Sequence, residues 1–145
     1  MKAVVDEGRW LATEGDRTVD QLTEMFRSGL EDGHILFVLA REDEIAGAVG
    51  IHPTSIEGVH SLGMSILSEL RGQGWGRRLL EVALEEARAR SIRKVELEVF
   101  PENGRAIALY ASAGFEVEGF KRDHYLRRDG SLRSVVLMAR PLGDD

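Results

Sequence analysis

From Ser65 to Leu80 the chain reads Ser-Ile-Leu-Ser-Glu-Leu-Arg-Gly-Gln-Gly-Trp-Gly-Arg-Arg-Leu-Leu, and no other stretch restricts the fold as much. The pattern is a strand, a turn and a helix in direct succession. Glycines at 72, 74 and 76 strip side-chain bulk from the turn, so its N–H groups can converge on one point where the helix starts. A helix start carries about half a positive charge, and Arg71, Arg77 and Arg78 add whole ones. Such a turn suits an anion, a phosphate or pyrophosphate above all. The same residues also make a plain Gly-rich connector, and the local pattern leaves both readings open.

Composition narrows the class. A chain of 145 residues, 43% hydrophobic and 30% charged, is expected to form one globular domain over 1–145 with a sizeable core. The absence of cysteine excludes disulfides, thiolate metal ligands and a cysteine nucleophile, and makes a cytoplasmic location the expectation. No apolar run approaches the roughly 20 residues of a membrane span, and the opening Met1-Lys2-Ala3-Val4-Val5-Asp6-Glu7 lacks a signal-peptide core, so no membrane association is expected. A formal net charge of −6 argues against nonspecific nucleic-acid binding and mildly favours cationic substrates. Histidines and carboxylates show no metal-ligand spacing, and neither a P-loop nor a dinucleotide glycine fingerprint is present, so metal and nicotinamide chemistry are not expected.

Residues 1–17 show no clear strand. Thr18-Val19-Asp20-Gln21 has the spacing of a capping box, and Leu22, Met25, Phe26 and Leu30 recur at helical intervals, which predicts a helix from about 19 to 31. The apolar runs Ile35–Ala40 and Ile45–Ile51, joined by a polar turn, predict a buried antiparallel hairpin. A third strand over 59–67 leads into the glycine turn, and a helix is predicted from Gly76 to about Arg90, with Leu79, Leu80, Ala83, Leu84 and Ala87 on its apolar face. Ile92–Val99 alternates apolar and charged residues, the mark of a strand with one face in the core, parallel to the strand before it through a right-handed crossover. Asn103 is a plausible N-cap for a short helix that Gly114 stops. Asp129-Gly130 then turns a final hairpin whose second strand, Leu132–Ala139, ends before Pro141. This order of elements describes an α/β mixed sheet with helices on both faces.

Two motifs in this order resemble the GNAT superfamily of N-acetyltransferases. Arg71-Gly72-Gln73-Gly74-Trp75-Gly76 matches the family's Arg/Gln-x-x-Gly-x-Gly/Ala signature, and the strand before it matches too. Asn103-Gly104-Arg105-Ala106-Ile107-Ala108-Leu109-Tyr110-Ala111-Ser112-Ala113-Gly114-Phe115 is similar to the second motif, in which Asn opens a short helix, a Leu-Tyr pair lies within it and Gly-Phe ends it. The resemblance runs from about residue 18 to 140 and implies a mostly antiparallel sheet with a splayed parallel strand pair. Families of this kind begin with an extra strand and helix, so the N-terminal strand looks missing or shortened here. That departure falls on the side that walls the acceptor pocket.

The resemblance also implies acetyl-CoA as donor and a primary amine as acceptor, joined by direct attack in a ternary complex. Backbone N–H groups of Arg71, Gly72, Gln73, Gly74, Trp75, Gly76 and Arg77 would hold the pyrophosphate, glycine being required because a Cβ would obstruct the approach. Main-chain groups of Met64, Ser65 and Ile66 would hold the pantetheine arm, with a strand bulge freeing a donor for the acetyl carbonyl. Asn103 would touch the cofactor and Tyr110, seven residues on and on nearly the same helix face, would protonate the departing thiolate. On residue pattern alone Tyr110 reads equally as a core tyrosine. Glu98, His60 and Glu96 are the candidate bases, each also readable as a solvated or structurally satisfied group, and His52 and Glu57 stay open. Tyr125 reads as a pocket wall or a surface residue. The acceptor can be a small molecule, a protein N terminus or a lysine, and a noncatalytic acetyl-CoA-binding module is the rival. Exposed apolar edges make a homodimer plausible.

Overall fold

The computed structural model describes Glu24 and residues 27–143. The expectations for residues 1–23, including the shortened N-terminal strand and most of the first predicted helix, lie outside the described residues; 27–31 are helical, as the spacing predicts. The strands are β1 (Ile35–Arg41), β2 (Glu44–Pro53), β3 (Val59–Ile66), β4 (Lys94–Val99), β5 (Glu116–Leu126) and β6 (Leu132–Pro141). A 3-10 turn, Ser68–Leu70, separates β3 from helix α1 (Trp75–Ala89), and α2 (Gly104–Ser112) lies between β4 and β5. Six strands form one sheet in the order β1-β2-β3-β4-β6-β5. Among the described residues only β3 and β4 pair in parallel.

Helix α1 forms because its apolar residues return every three or four positions. Leu79, Leu80, Ala83, Leu84 and Ala87 are buried against one face of the sheet, packing with Val49, Ile51, Leu62, Val95 and Leu97. The solvent face carries the ion pair Glu86–Arg90 at 2.7 Å, worth a few tenths of a kcal/mol at such exposed i,i+4 sites. Burial of the apolar stripe therefore dominates the helix's stability. Leu80 is fully buried, so Leu80→Ala is expected to cost about 2–5 kcal/mol, read as a lower urea midpoint with an unchanged slope. Helix α2 packs on the same cluster through Ala106, Ile107, Leu109 and Tyr110. The expected helical cover of the other face falls on residues outside those described.

β2 and β3 pair in unbroken register from Gly47↔Ile66 to Pro53↔His60. The bulge that the resemblance implied is therefore not present in this pair. A different device opens the sheet: β3 and β4 pair only at Val59↔Lys94, His60↔Val95 and Ser61↔Glu96, while both strands continue. Beyond Ser61 and Glu96 they part. The facing edges of β3 and β4 are left with backbone groups that a ligand can claim.

Candidate active site

The parting strands open a groove of about 1210 Å³. On the side of the helices it is lined by Leu62, Met64 and Ile66 of β3, Leu97 and Val99 of β4, and Ala106, Leu109 and Tyr110 of α2. On the opposite side stand His52, Ser61, Gly63, Glu96, Glu98 and Tyr125. Ser65, buried, also lines it. The groove thus runs through the sheet, apolar on one side and polar on the other.

Its far end is the glycine turn. Arg71, Gly72, Gly74, Gly76 and Arg77 line the groove, whereas Gln73 and Trp75 do not. The Gln73 amide turns back to donate to the Glu69 carbonyl at 2.9 Å, and Trp75 is partly exposed as the first residue of α1. Glycine serves two purposes here rather than one. Gly72 and Gly74 have φ of +76° and +86°, and a Cβ at either position would have no atom within 4 Å, so they are required by backbone conformation and leave open space above them. Gly76 is favoured by packing: a Cβ would sit 3.3 Å from both Ile66 Cδ1 and Leu109 Cδ2, which would have to give by a few tenths of an ångström. No side chain caps α1, whose N-cap is Gly74. The first N–H groups of the helix therefore have no intrahelical partner, and Gly74, Gly76 and Arg77 bring this helix start to the groove's end. Arg71 is braced by its Nε donating to the Ile66 carbonyl at 3.0 Å, and Arg77 spans from Glu81 at 3.0 Å to the Ser112 hydroxyl at 3.3 Å.

Asn103 caps α2, its Oδ1 accepting from the Ala106 N–H at 3.3 Å, as its position predicts. Tyr110, two turns on, is 7% exposed and packs on Phe115 at a ring separation of 5.8 Å, yet it still lines the groove. Burial pushes its pKa up to about 12. Tyr110 is thus a core residue that also borders the groove.

The polar side separates the candidate bases. Glu98 accepts from Lys121 Nζ at 2.6 Å and from the Tyr125 hydroxyl. Burial, the largest single cause, works to raise its pKa, but those two bonds together with the nearby charges of Lys121 and His124 hold the carboxyl below the ordinary range. Tyr125 in turn is pushed up to about 12, by burial first and by Glu98 second. Glu96 lines the groove and makes no ion pair among the described residues. His60 does not line the groove; its Nδ1 is buried without a partner, and strand alternation sends it with Leu62 and Met64 toward the helix side. Its pKa is lowered by burial and by His34. Sequence reasoning missed Ser61, Gly63 and Glu102 as lining residues and left Tyr125 undecided. Only Tyr125 had a signal, its place in the closing hairpin. That hairpin also braces the start of α2: the Arg133 guanidinium lies 4.0 Å from the Phe100 ring centre and pairs with Glu102, while Asn103 N–H bonds the Phe100 carbonyl at 2.9 Å.

The parted parallel strand pair thus leaves a cleft with the glycine turn and an uncapped helix start at one end and a buried phenol facing carboxylates across it. Comparison with known proteins supplies the class. Residues 4–115 match the model of the Acetyltransferase (GNAT) family, and the chain belongs to that family. It is 30% identical over 117 residues to the ribosomal protein bS18-alanine N-acetyltransferase of Escherichia coli strain K12, covering 81% of this chain and 78% of that protein. Among solved structures it is similar to a ribosomal-protein-alanine N-acetyltransferase from Brucella melitensis, with a TM-score of 0.88, 24% identity and coverage of 96% and 88% of the two chains. It also resembles the Vibrio cholerae spermidine N-acetyltransferase in complex with CoA and spermine, with a TM-score of 0.81, 23% identity and coverage of 95% and 83%. The protein is an N-acetyltransferase that moves acetyl from acetyl-CoA to an amine. Among the described residues no group of side chains could hold a metal ion, and no helix is long and apolar enough to cross a membrane.

Proposed function

We propose that the acceptor is the α-amino group of a polypeptide. The observation that carries this reading is the state of Glu98, an acceptor-side carboxylate held below its ordinary pKa by Lys121 and Tyr125. Such a group is a dependable anion and a weak base. An alkyl ammonium of pKa about 10.4 is neutral only about once in 2,500 at pH 7, a deficit of roughly 4.6 kcal/mol, whereas an α-amine of pKa about 8 is neutral about one time in ten, a deficit near 1.4 kcal/mol. The acceptor whose nucleophile needs least help matches this site best. The bS18-alanine specificity in the name of the Escherichia coli relative supports the same choice.

In this reading the ammonium docks against Glu98, loses a proton and attacks the thioester where the strands part. A backbone N–H of β3 near Ile66 holds the oxyanion. Tyr110 gives its proton to the leaving thiolate. The glycine turn and Arg77 hold the pyrophosphate, main-chain groups of Met64 to Ile66 hold the pantetheine arm, and Asn103 borders it. Arg105, which lines the groove at the start of α2, adds a cation to that end. A cytoplasmic location, where acetyl-CoA is made and used, belongs to the same reading. The exposed Phe120, Leu126 and Leu132 of the closing hairpin support self-association as a homodimer, checked by sedimentation.

The test is a panel of acceptors at fixed acetyl-CoA: peptides beginning with alanine, the same peptides blocked at the N terminus but carrying lysine, and spermidine. The α-amine is expected to exceed the other two in kcat/KM by at least about tenfold, a margin below the roughly 3 kcal/mol that separates the two deprotonation deficits. Equal or faster turnover of spermidine would replace this reading with that of a small-molecule acetyltransferase.

A further inference from the structure

Gly63 stands apart from the other strand glycines among the described residues. Gly47 is held by packing, since a Cβ there would lie 3.1 Å from the Ser65 carbonyl oxygen and 3.2 Å from Ile66 Cγ1. At Gly50 and Gly119 a Cβ would make ordinary contacts, 3.8 Å from the Ile35 carbonyl oxygen and 4.0 Å from Leu137 Cβ. At Gly63 it would meet nothing within 4 Å, and the residue is not in the left-handed region that favours glycine. Neither packing nor backbone conformation calls for glycine there. Glycine weakens a strand interior, and where one persists it marks a bulge or a place that a ligand approaches closely. β3 passes through Gly63 in unbroken register with β2, so no bulge is present. Gly63 is exposed and lines the groove, which leaves the ligand as the reason.

The position of the open space says which ligand. Ser61 and Glu96 are the last parallel pair, so two residues further along each strand Gly63 and Glu98 stand level on the same face, on opposite banks of the opening. Both line the groove. Gly63 is paired with Gly50 on β2, and Ser61 and Ser65 precede and follow it on the same face of β3. One bank is therefore low and nearly bare, while the other carries Glu96, Glu98 and Tyr125. An amine docked on Glu98 brings the carbon that bears it over the bare bank.

We propose that Gly63 is a specificity-determining residue, its missing side chain leaving the space that the substituents on the acceptor's amine-bearing carbon occupy. An amine on a CH2 group brings a single chain into that space. The α-amine of any residue but glycine brings two, its side chain and its main chain. This assignment deepens the α-amine reading and rests on it for the choice of peptides.

The experiment measures kcat/KM at saturating acetyl-CoA for two peptides that differ only in beginning with glycine or with alanine, using the parent enzyme, Gly63→Ala and Gly63→Val. Gly63→Val is expected to lose about tenfold more on the alanine peptide than on the glycine peptide, the low end of what one methyl group too many is worth in a fitted pocket. Gly63→Ala is expected to fall between parent and Gly63→Val, with acetyl-CoA affinity unchanged in both variants by calorimetry. It is also expected to raise the melting temperature by about 2–4 °C, because alanine suits a strand interior better than glycine. Equal losses on the two peptides, or none, overturn the assignment, as does a lower melting temperature in Gly63→Ala, which makes the glycine a requirement of the fold. The acceptor panel judges the α-amine reading with the parent enzyme alone. Should spermidine win there, the comparison runs with spermidine and its derivative methylated on the amine-bearing carbon, so the two failures are read separately.

Discussion

Tyr110→Phe is expected to lower kcat by about a hundredfold, at the low end of the range for a positioned general acid, while acetyl-CoA binds as before. The substitution removes one oxygen and little else. The ring keeps its contact with Phe115 at 5.8 Å, and the hydroxyl makes no hydrogen bond among the described residues. At a pKa of about 12 the phenol is protonated throughout the working range. A donor of that strength facing an alkyl thiolate of pKa about 8.5 is mismatched by about 3.5 units, or nearly 5 kcal/mol. Stepwise transfer is therefore disfavoured. In the proposed mechanism the phenol would act in concert, giving its proton to sulfur as it takes one from the nitrogen that has just become an amide. This moderates the expected loss, since a thiolate can also leave unprotonated. Steady-state kinetics and calorimetric titration of CoA separate the two quantities. A kcat within twofold of the parent enzyme removes Tyr110 from the chemistry and leaves it as a core residue.

Gly74→Glu is expected to weaken CoA binding by at least about a hundredfold, with the fold retained. The position has φ of +86°, lines the groove and has nothing within 4 Å of a Cβ, so the added Cβ itself meets no protein atom. It places a carboxylate at the start of α1, in the space where the pyrophosphate is expected. Adopting a left-handed conformation with a side chain costs roughly 1–2 kcal/mol, which must be separated from obstruction of the ligand. Gly74→Ala makes that separation. Alanine bears the same backbone strain without length or charge, and is expected to lower the melting temperature as much as glutamate while keeping most of the affinity. Equal losses of affinity in the two variants would show that strain, not the ligand's negative charge, sets the effect. Unchanged affinity in Gly74→Glu would move the pyrophosphate elsewhere.

Much of this could be read along the chain because it depends on neighbours in sequence. The apolar spacing of Leu79, Leu80, Ala83, Leu84 and Ala87 sets a helix whatever it packs on, and the alternation of Val95, Leu97 and Val99 with charged residues sets a strand. The Asn103 cap is a contact over three residues, and the seven-residue interval to Tyr110 is fixed by helical geometry. Glycines 72 and 74 announce a backbone conformation that only glycine adopts freely. For Gly76 the residue was legible and its physical reason was not, because Ile66 and Leu109 come from different elements.

The partition of roles within the groove was decided by contacts between distant segments. Nothing local to Glu98 reveals that Lys121 and Tyr125, more than twenty residues away, bond it and help hold its carboxyl below the ordinary range. His60 and Glu96 were indistinguishable candidates until the sheet put them on different sides, one against the helices and one in the cleft. The cleft itself was not written in any motif. It exists because β3 and β4 stop pairing after Ser61 and Glu96, and where two strands part depends on what packs above and below both of them. Elements, caps and the glycine turn are short-range properties, which the order of residues settles; the opening that they border is a long-range property, which only the packed sheet supplies.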